Sequence, residues 1–310
     1  MLSPHTRLPL DAPAIGLMLV LCLIWSLQQI VLKATSADFS PLLQIALRSG
    51  LSAALVWGFM RWRNETLTVA DGVWQPGVWA GLLFALEFML IGLAVRYTSA
   101  SHIGIFLYTA PLFAALGLHW RLPSERLAPV QWLGVGLAFM GTAWAFLSRT
   151  STAGTAPSEL STMLWGDFLA LLAGMGWGAT TVVVRSTKLS TLPATQTLLY
   201  QLLMAFVVIL PGAYLLGHTH FTPTPIIWAT LAFQAILVSF ISYLAWFWML
   251  RKYQAAPLGV FAFMTPIFGV ILGVWLLNEP LESGFVVGAL LVLGGVILVS
   301  GYNAWKARQG

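Results

Sequence analysis

Ten stretches of about twenty mostly apolar residues follow one another along the 310-residue chain, at 13–33, 41–60, 76–95, 100–120, 128–147, 164–185, 194–216, 225–250, 256–277 and 283–304. About 20 apolar residues in a helix span the ~30 Å hydrocarbon core of a bilayer. Between these stretches almost nothing is left over. Arg96 to Ser99 and Arg251 to Ala255 leave no room for a soluble domain. Charged residues make up 8% and hydrophobic ones 59%, whereas a soluble domain carries roughly 25% charged residues. The expected fold is therefore an all-α integral membrane protein of ten transmembrane helices.

Arg7 precedes an apolar run that begins at Ala14, as in a signal peptide. The run continues past Trp25 to Leu32 without a small-residue cleavage site, so it reads as a retained first span. The lone Cys22 lies within it, which excludes an intrachain disulfide and a multi-cysteine metal site.

The net charge of +5 is distributed as an orientation signal rather than a nucleic-acid patch. With the first end inside, Arg7, Arg61, Arg63, Arg121, Arg126, Arg185, Lys188, Arg251, Lys252, Lys306 and Arg308 fall on the inner side. Only Lys33, Arg96 and Arg149 fall outside, and Arg48 lies within a span. Positive residues concentrate on the cytoplasmic face. Both termini are expected there, in a multi-pass protein of a bacterial inner membrane.

The two halves repeat. A shift of 152 places Trp25 on Trp177, Lys33 on Arg185, Pro41 on Pro193 and Gln44 on Gln196. A shift of 155 places Arg96 on Arg251, Gly104 on Gly259, Phe106 on Phe261, Pro111 on Pro266 and Phe113 on Phe268. A shift of 154 pairs Glu125 with Glu279, Leu127 with Leu281, Gly134 with Gly288 and Gly141 with Gly295. Residues 1–150 form one five-helix repeat, 151–163 a Ser/Thr/Gly/Pro-rich linker, and 164–310 the second repeat. Five is odd, so the copies enter the membrane with opposite sense. Inverted repeats around a midplane site characterise secondary transporters.

The segment IFLYTAPLFAALGLHWRLPSERLAPVQWLGVGLAFMG, Ile105 to Gly141, resembles the fourth and fifth spans of the EamA-type drug/metabolite transporters. It carries a mid-helix Pro111, Glu125 in the tight connection and a glycine-lined helix. FAFMTPIFGVILGVWLLNEPLESGFVVGALLVLGG, Phe261 to Gly295, repeats the pattern, and LIWSLQQIVLK resembles the family's first helix. Arg48 matches an arginine common in the family's second span. Within the family the chain is most similar to YddG-type exporters of aromatic amino acids. The resemblance implies a basket of ten helices around a central cavity. Spans one, three, four, six, eight and nine would line it, with five and ten toward the periphery.

Polar residues deep in spans mark sites. Glu87 in the third span reads as a contact for a substrate amine, as a proton site, or as a structural partner of Arg48, which itself reads as a structural tie. Trp25, Gln28, Gln29 and Leu32 share one helical face, and their repeat counterparts are Trp177, Thr180, Thr181 and Val184. Two such stripes suit an amphipathic cavity wall, though Gln and Thr also bond helix to helix. His102, Phe106, Thr109 and Phe113 make a further face with Tyr108 beside it. Gln234, Ser239, Ser242 and Tyr243 bring polarity to the eighth span. The expected substrate-contacting set is thus Trp25, Gln28, Gln29, Glu87, His102, Phe106, Tyr108, Trp177, Thr180, Gln234, Ser239 and Tyr243.

Pro111 and Pro266 break helical hydrogen bonds at matched places and are the expected bending points for gating. Glu125 and Glu279 sit where an acid favours a helix start. The fifteen tryptophans are expected mostly as interfacial anchors.

No HExxH or GxSxG motif and no P-loop is present, which argues against a membrane enzyme or an ATP-driven pump. His218 and His220 are a loop pair too small for a metal site. No catalytic residue, metal or cofactor is expected. A channel would want polarity through most of the membrane depth, and only local polarity is present. A single deep cation disfavours polyanions such as sugar phosphates. The composition suits export of small amphipathic metabolites, aromatic and apolar amino acids above all, by alternating access. Proton-coupled efflux of flat organic cations is the second reading. The expected partners are a small-molecule substrate, lipid and, for that reading, protons; no nucleic acid or obligate protein partner is expected, so a monomer suffices.

Overall fold

The structure is a computed structural model, and it describes residues 8, 11–69, 72–123, 126–149, 157–253, 258 and 261–306. Among these residues it is all helical, with isolated bridges Leu8–Tyr253 and Phe39–Phe221 as the only β pairings. The helices are α1 (Ala12–Ala34), α2 (Pro41–Trp62), α3 (Trp74–Ala94), α4 (Ala100–Leu107), α5 (Ala110–Arg121) and α6 (Pro129–Arg149). They continue with α7 (Pro157–Ser186), α8 (Ala194–Leu215), α9 (Pro225–Ala232), α10 (Tyr243–Lys252), α11 (Met264–Leu277) and α12 (Ser283–Lys306). A π-helical segment, Phe233–Ser242, joins α9 to α10.

Among the described residues, seven stretches are long and apolar enough to cross a membrane: α1, α2, α3, α4–α5, the part of α7 from Glu159, α8 and Pro225–Met249. Met264–Leu277 and Ser283–Val299 are shorter apolar helices. The starts are written locally. Asp11 accepts a hydrogen bond from Ala14 N at 2.9 Å, and Ser99 and Thr224 cap α4 and α9 in the same way. Prolines occupy first-turn positions of α1, α2, α5 and α9, where the missing N–H costs nothing.

Two boundaries differ from the sequence reading. The linker expected at 151–163 is helical from Pro157, so α7 begins before the apolar stretch does. Its first turn, with Glu159, is polar enough to extend past the apolar run. The fourth stretch is not one kinked helix but two, separated at Tyr108–Thr109 just before Pro111. Proline lacks the N–H that would continue the ladder across that turn. The repeat position behaves alike: a turn at Phe263 precedes α11, which carries Pro266 in its first turn.

The outward faces are apolar. Eleven of the fifteen tryptophans, such as Trp57, Trp62, Trp79, Trp120 and Trp275, are exposed. Trp25, Trp177 and Trp246 are half-buried and lie inside, while the side chain of Trp305 is outside the described residues. Tryptophan therefore works at two addresses, lipid and interior.

α2 packs on α8 and α6 on α12, each on its repeat counterpart, while α1 on α11 and α4–α5 on α7 are two packings that the repeat maps onto each other. The α6–α12 contact is the tightest. A Cβ on Gly134 would come within 2.7 Å of the Gly295 carbonyl oxygen, and one on Gly141 within 2.7 Å of the Gly288 oxygen. The backbones touch, as small residues allow between membrane helices. At the chain's surface, Arg96 reaches His218, with its Nη1 3.1 Å from Nδ1. Burial, then the Arg96 charge, lower the His218 pKa below its ordinary 6.5.

Two predictions arise. Gly141→Leu is expected to lower stability by about 1–3 kcal/mol, the usual cost of overpacking. Gly136→Leu, with open space at its Cβ, should leave it unchanged; thermal unfolding in detergent compares them. The His218 ring should titrate below 6.5 in the wild type, and Arg96→Gln should raise that midpoint, read by NMR. A base with a lowered folded pKa adds stability above its ordinary value and loses it as the pH falls. This slope should flatten in Arg96→Gln.

Candidate functional site

A cavity of about 580 Å³ lies between the helices, within the few hundred to a thousand Å³ common for small-molecule sites. Its walls come from α1 (Trp25, Gln28, Gln29), α3 (Phe84, Glu87, Phe88), α4–α5 (Tyr108, Pro111, Leu118), α7 (Trp177, Thr180, Arg185), α10 (Tyr243, Trp246, Phe247) and α11 (Thr265, Pro266). α8 adds Thr197, Leu198 and Gln201, and Val299 of α12 touches its edge. The expected list of lining spans did not include α8 or α12. α8 enters because α3 packs closely along it, with Gly77 and Gly81 lying against Tyr200 and Met204.

Ten of the fourteen residues expected to contact substrate or to gate line this cavity: Trp25, Gln28, Gln29, Glu87, Tyr108, Trp177, Thr180, Tyr243, Pro111 and Pro266. His102, Phe106, Gln234 and Ser239 do not. Phe106 is fully buried in the core, because α4 turns that face onto α7, where a Cβ on Gly174 would meet the Phe106 carbonyl oxygen. His102 stands against Asp167 of α7 with Nδ1 3.0 Å from Oδ2. Its ring stacks on Phe285 at 3.7 Å between centroids. It is a buried tie between helices and does not lie at the membrane interface.

Gln234 and Ser239 are buried on the π segment. Gln234 Oε1 accepts from Arg48 Nη1 at 2.6 Å, and its Nε2 donates to the Gln28 carbonyl at 3.0 Å. The extra residue per turn of a π-helix, a feature frequent at functional sites, brings these polar groups onto the inner side. Arg48 is therefore tied to Gln234, with its guanidinium 4.5 Å over the Phe88 ring. Among the described residues no ion pair joins Arg48 to Glu87.

Glu87 is 5% exposed, and its Oε2 has no hydrogen-bond partner among the described residues; the same holds for Gln29 Oε1 and Thr265 Oγ1. Buried acceptors rarely stay unpaired. Here three residues bordering one cavity each hold one. The surrounding wall is aromatic and fixed. Trp25 Nε1 donates to Ser242 Oγ at 2.9 Å and packs edge-on against Trp246 at 5.6 Å. Tyr108 meets Trp177 edge-on at 5.3 Å. Ser242 is the repeat counterpart of Glu87, and it holds an aromatic wall where Glu87 presents a carboxylate. The cavity thus sets buried oxygen acceptors beside an apolar, aromatic wall.

Glu279 accepts from Ala100 N at 2.6 Å, Ser101 N at 3.0 Å and Ser101 Oγ at 2.6 Å. It caps α4 and not the helix that follows it. Glu125 lies outside the described residues. Among the described residues no group of three or more His, Cys, Asp or Glu could hold a metal. Sequence reasoning missed Asp167; an acid inside an apolar stretch, the signal that singled out Glu87, marks it too.

A multi-helix membrane protein with an amphipathic internal cavity is the architecture of a membrane transporter. The EamA-like transporter family matches the chain twice, over residues 12–147 and 164–301, and the chain belongs to that family. It is 26% identical over 288 residues to an uncharacterized transporter of Archaeoglobus fulgidus, covering 90% of this chain and 94% of that one. It is 22% identical to the uncharacterized inner membrane transporter YedA of Escherichia coli K12, covering 93% and 90% of the two chains. It is 23% identical over 303 residues to a probable amino-acid metabolite efflux pump of Salmonella typhimurium, covering 94% and 97%. A crystal structure sharing 21% identity has the same fold, with a TM-score of 0.64 over 96% of this chain and 97% of the other.

The Arg48–Gln234 tie predicts that Gln234→Leu, which strands a buried guanidinium, costs about 2–3 kcal/mol. Gln201→Leu on the cavity wall should cost under about 0.5 kcal/mol, as substitutions that break no buried tie do. Unfolding midpoints in detergent distinguish them.

Proposed function

We propose that the protein is a secondary transporter, not an enzyme, that exports small amphipathic metabolites, aromatic and apolar amino acids and related compounds, by alternating access. It resembles YddG-type exporters in this. The observation that carries the reading is the aromatic cavity with buried, unpartnered acceptors on Glu87 and Gln29. An ammonium group has three donors and no acceptor, so it complements those oxygens. Trp25, Tyr108, Trp177 and Tyr243 offer the apolar body a wall. The Salmonella relative's description as a probable amino-acid metabolite efflux pump points the same way.

Ten spans, arranged as two inverted halves at 1–150 and 164–310, provide the moving parts. The family matches the halves separately. The glycine contacts also support inversion: Gly134 lies on Gly295 and Gly141 on Gly288. The repeat maps Gly134 onto Gly288 and Gly141 onto Gly295, so each contact is the other's image, as a two-fold axis requires. Pro111 and Pro266, each just after a break in the helix, are the bending points. With the Lys/Arg bias, both termini face the cytoplasm of a bacterial inner membrane, and the chain works as a monomer.

A second reading, efflux of flat organic cations coupled to protons, is favoured by one observation: among the described residues Glu87 is the only acid bordering the cavity, and the only cation doing so, Arg185, lies toward one end. Cation–π attraction to Trp and Tyr faces would assist such substrates.

The test is uptake into proteoliposomes of labelled phenylalanine, tryptophan and threonine and of a cationic dye, with and without a pH gradient. Phenylalanine and tryptophan should cross faster than threonine, and Glu87→Gln should cut their rate about tenfold, the effect of losing about 1.4 kcal/mol of interaction. Rates equal to those of empty liposomes for every solute would sink the transport reading. Gradient-dependent flux of the dye alone would select the second reading.

A further inference from the structure

Four polar ties converge where α1, α3, α4, α7, α11 and α12 meet, and most of them cross between the halves. Glu279, in the turn after α11, accepts from both leading N–H groups of α4 and from Ser101 Oγ. Lys33, in the last turn of α1, donates to the Val95 and Thr98 carbonyls at 2.5 and 2.8 Å. Thr98 Oγ1 donates to Asp167. His102 meets the other Asp167 oxygen at 3.0 Å and stacks on Phe285. Ala100, Ser101, His102, Thr98 and Asp167 are each under 5% exposed.

Asp167 and Arg185 both lie on α7, eighteen residues apart, which is about 27 Å at 1.5 Å per residue. Arg185 therefore marks the opposite end of the bundle. The cavity reaches that end, where Leu118, Leu127, Val184, Arg185 and Val299 line it. At the other end it stops at Ala100, the residue whose N–H Glu279 holds. The repeat does not copy the His102–Asp167 tie: the shifts of 155 and 152 give Pro257 and Ile15 at the counterpart positions.

We infer that Glu279, with Lys33 and the His102–Asp167 pair, is a clasp between the halves that shuts the Lys33 end of the cavity, and that the His102–Asp167 tie, which the repeat does not copy, biases the resting state toward a cavity facing the Arg185 end. The inference rests on the transport reading for its meaning, and with the Lys/Arg bias the resting state faces the cytoplasm, where an exporter loads. The physical basis is a charge-assisted cap. Helix N-termini leave N–H groups unsatisfied, and a carboxylate there gains from both the hydrogen bonds and the dipole. Opening this end parts Glu279 from α4 and leaves those donors to water, so the clasp favours closure without preventing it. Gly273 makes the approach possible, because a Cβ there would collide with Ser101 Oγ and Glu279 Oε2.

The test uses full-length protein in proteoliposomes of known orientation, in a Cys22→Ser background, with a single reporter cysteine at Ala100 or Leu118 and a membrane-impermeant thiol reagent. With the clasp intact, Leu118→Cys should label from the Arg185 side and Ala100→Cys should resist labelling from the Lys33 side. Glu279→Gln should raise labelling of Ala100→Cys about tenfold, in keeping with the loss of a helix cap, and lower that of Leu118→Cys. Gly273→Ala, which keeps the carboxylate but crowds it, should act in the same direction and guards against a folding defect in the first variant. Unchanged labelling in both variants, each monodisperse in detergent, would overturn the clasp, as would ready labelling of Ala100→Cys in the unaltered background. Labelling needs no substrate, so a shift in accessibility without flux of any solute would retain the clasp and reject the transport reading.

Discussion

Lipid cannot hydrogen-bond, and the architecture follows from that constraint. Inside a bilayer each backbone N–H and carbonyl must find a partner within the protein, because an unsatisfied group costs several kcal/mol. The chain answers with helices, and three departures from them lie beside the cavity. The break at Tyr108–Thr109, the turn at Phe263 and the π segment Phe233–Ser242 border the cavity or hold the residues that do. Irregular backbone at membrane depth is tolerated where protein or an internal cavity surrounds it. Function and the departure from helical regularity therefore share one location.

The same constraint explains the polar side chains. Ser26, Ser49, Ser52, Thr142, Thr180 and Ser242 each return a hydroxyl hydrogen bond to the carbonyl four residues earlier, and Ser26, Ser52 and Ser242 also bond to a neighbouring helix. Arg48 is anchored through Gln234 to the Gln28 backbone. Glu87, Gln29 and Thr265, at the cavity, keep an acceptor in reserve. A membrane interior that satisfies most of its polar atoms makes the remaining ones informative.

The glycine pattern ties packing to mechanism. At α6–α12 the backbones touch through Gly134, Gly141, Gly288 and Gly295, with Ala138, Ala145, Leu291 and Val299 packed beside them. At α4–α7 and at Gly273 the close approaches sit beside the cavity and the clasp. The α6–α12 glycines thus lie away from the cavity, and polar ties lie next to it.

The ten apolar stretches, their short connections and the internal repeat are explicit in the residues because burial against lipid depends on composition and length, which are local properties. Each of those stretches contains helix in the structure. Trp25, Gln28, Glu87 and Trp177 were legible as cavity residues for the same reason: polar or matched residues deep in an apolar run have few places to be. The failures concern partners. Sequence pairs Arg48 with Glu87 as readily as with Gln234, puts His102 on a helix face with Phe106 without saying what faces it, and makes Glu279 look like the cap of its own next helix. Which side chain meets which depends on how separate helices dock and rotate, and that is decided by close packing at glycines such as Gly174 and Gly273 that leave no trace in hydropathy. The sequence by itself determined a multi-helix membrane chain with a repeated plan and a short list of costly polar residues. Only the tertiary structure decided which of them line the cavity and which tie helix to helix, because those choices arise from contacts between residues far apart in the chain.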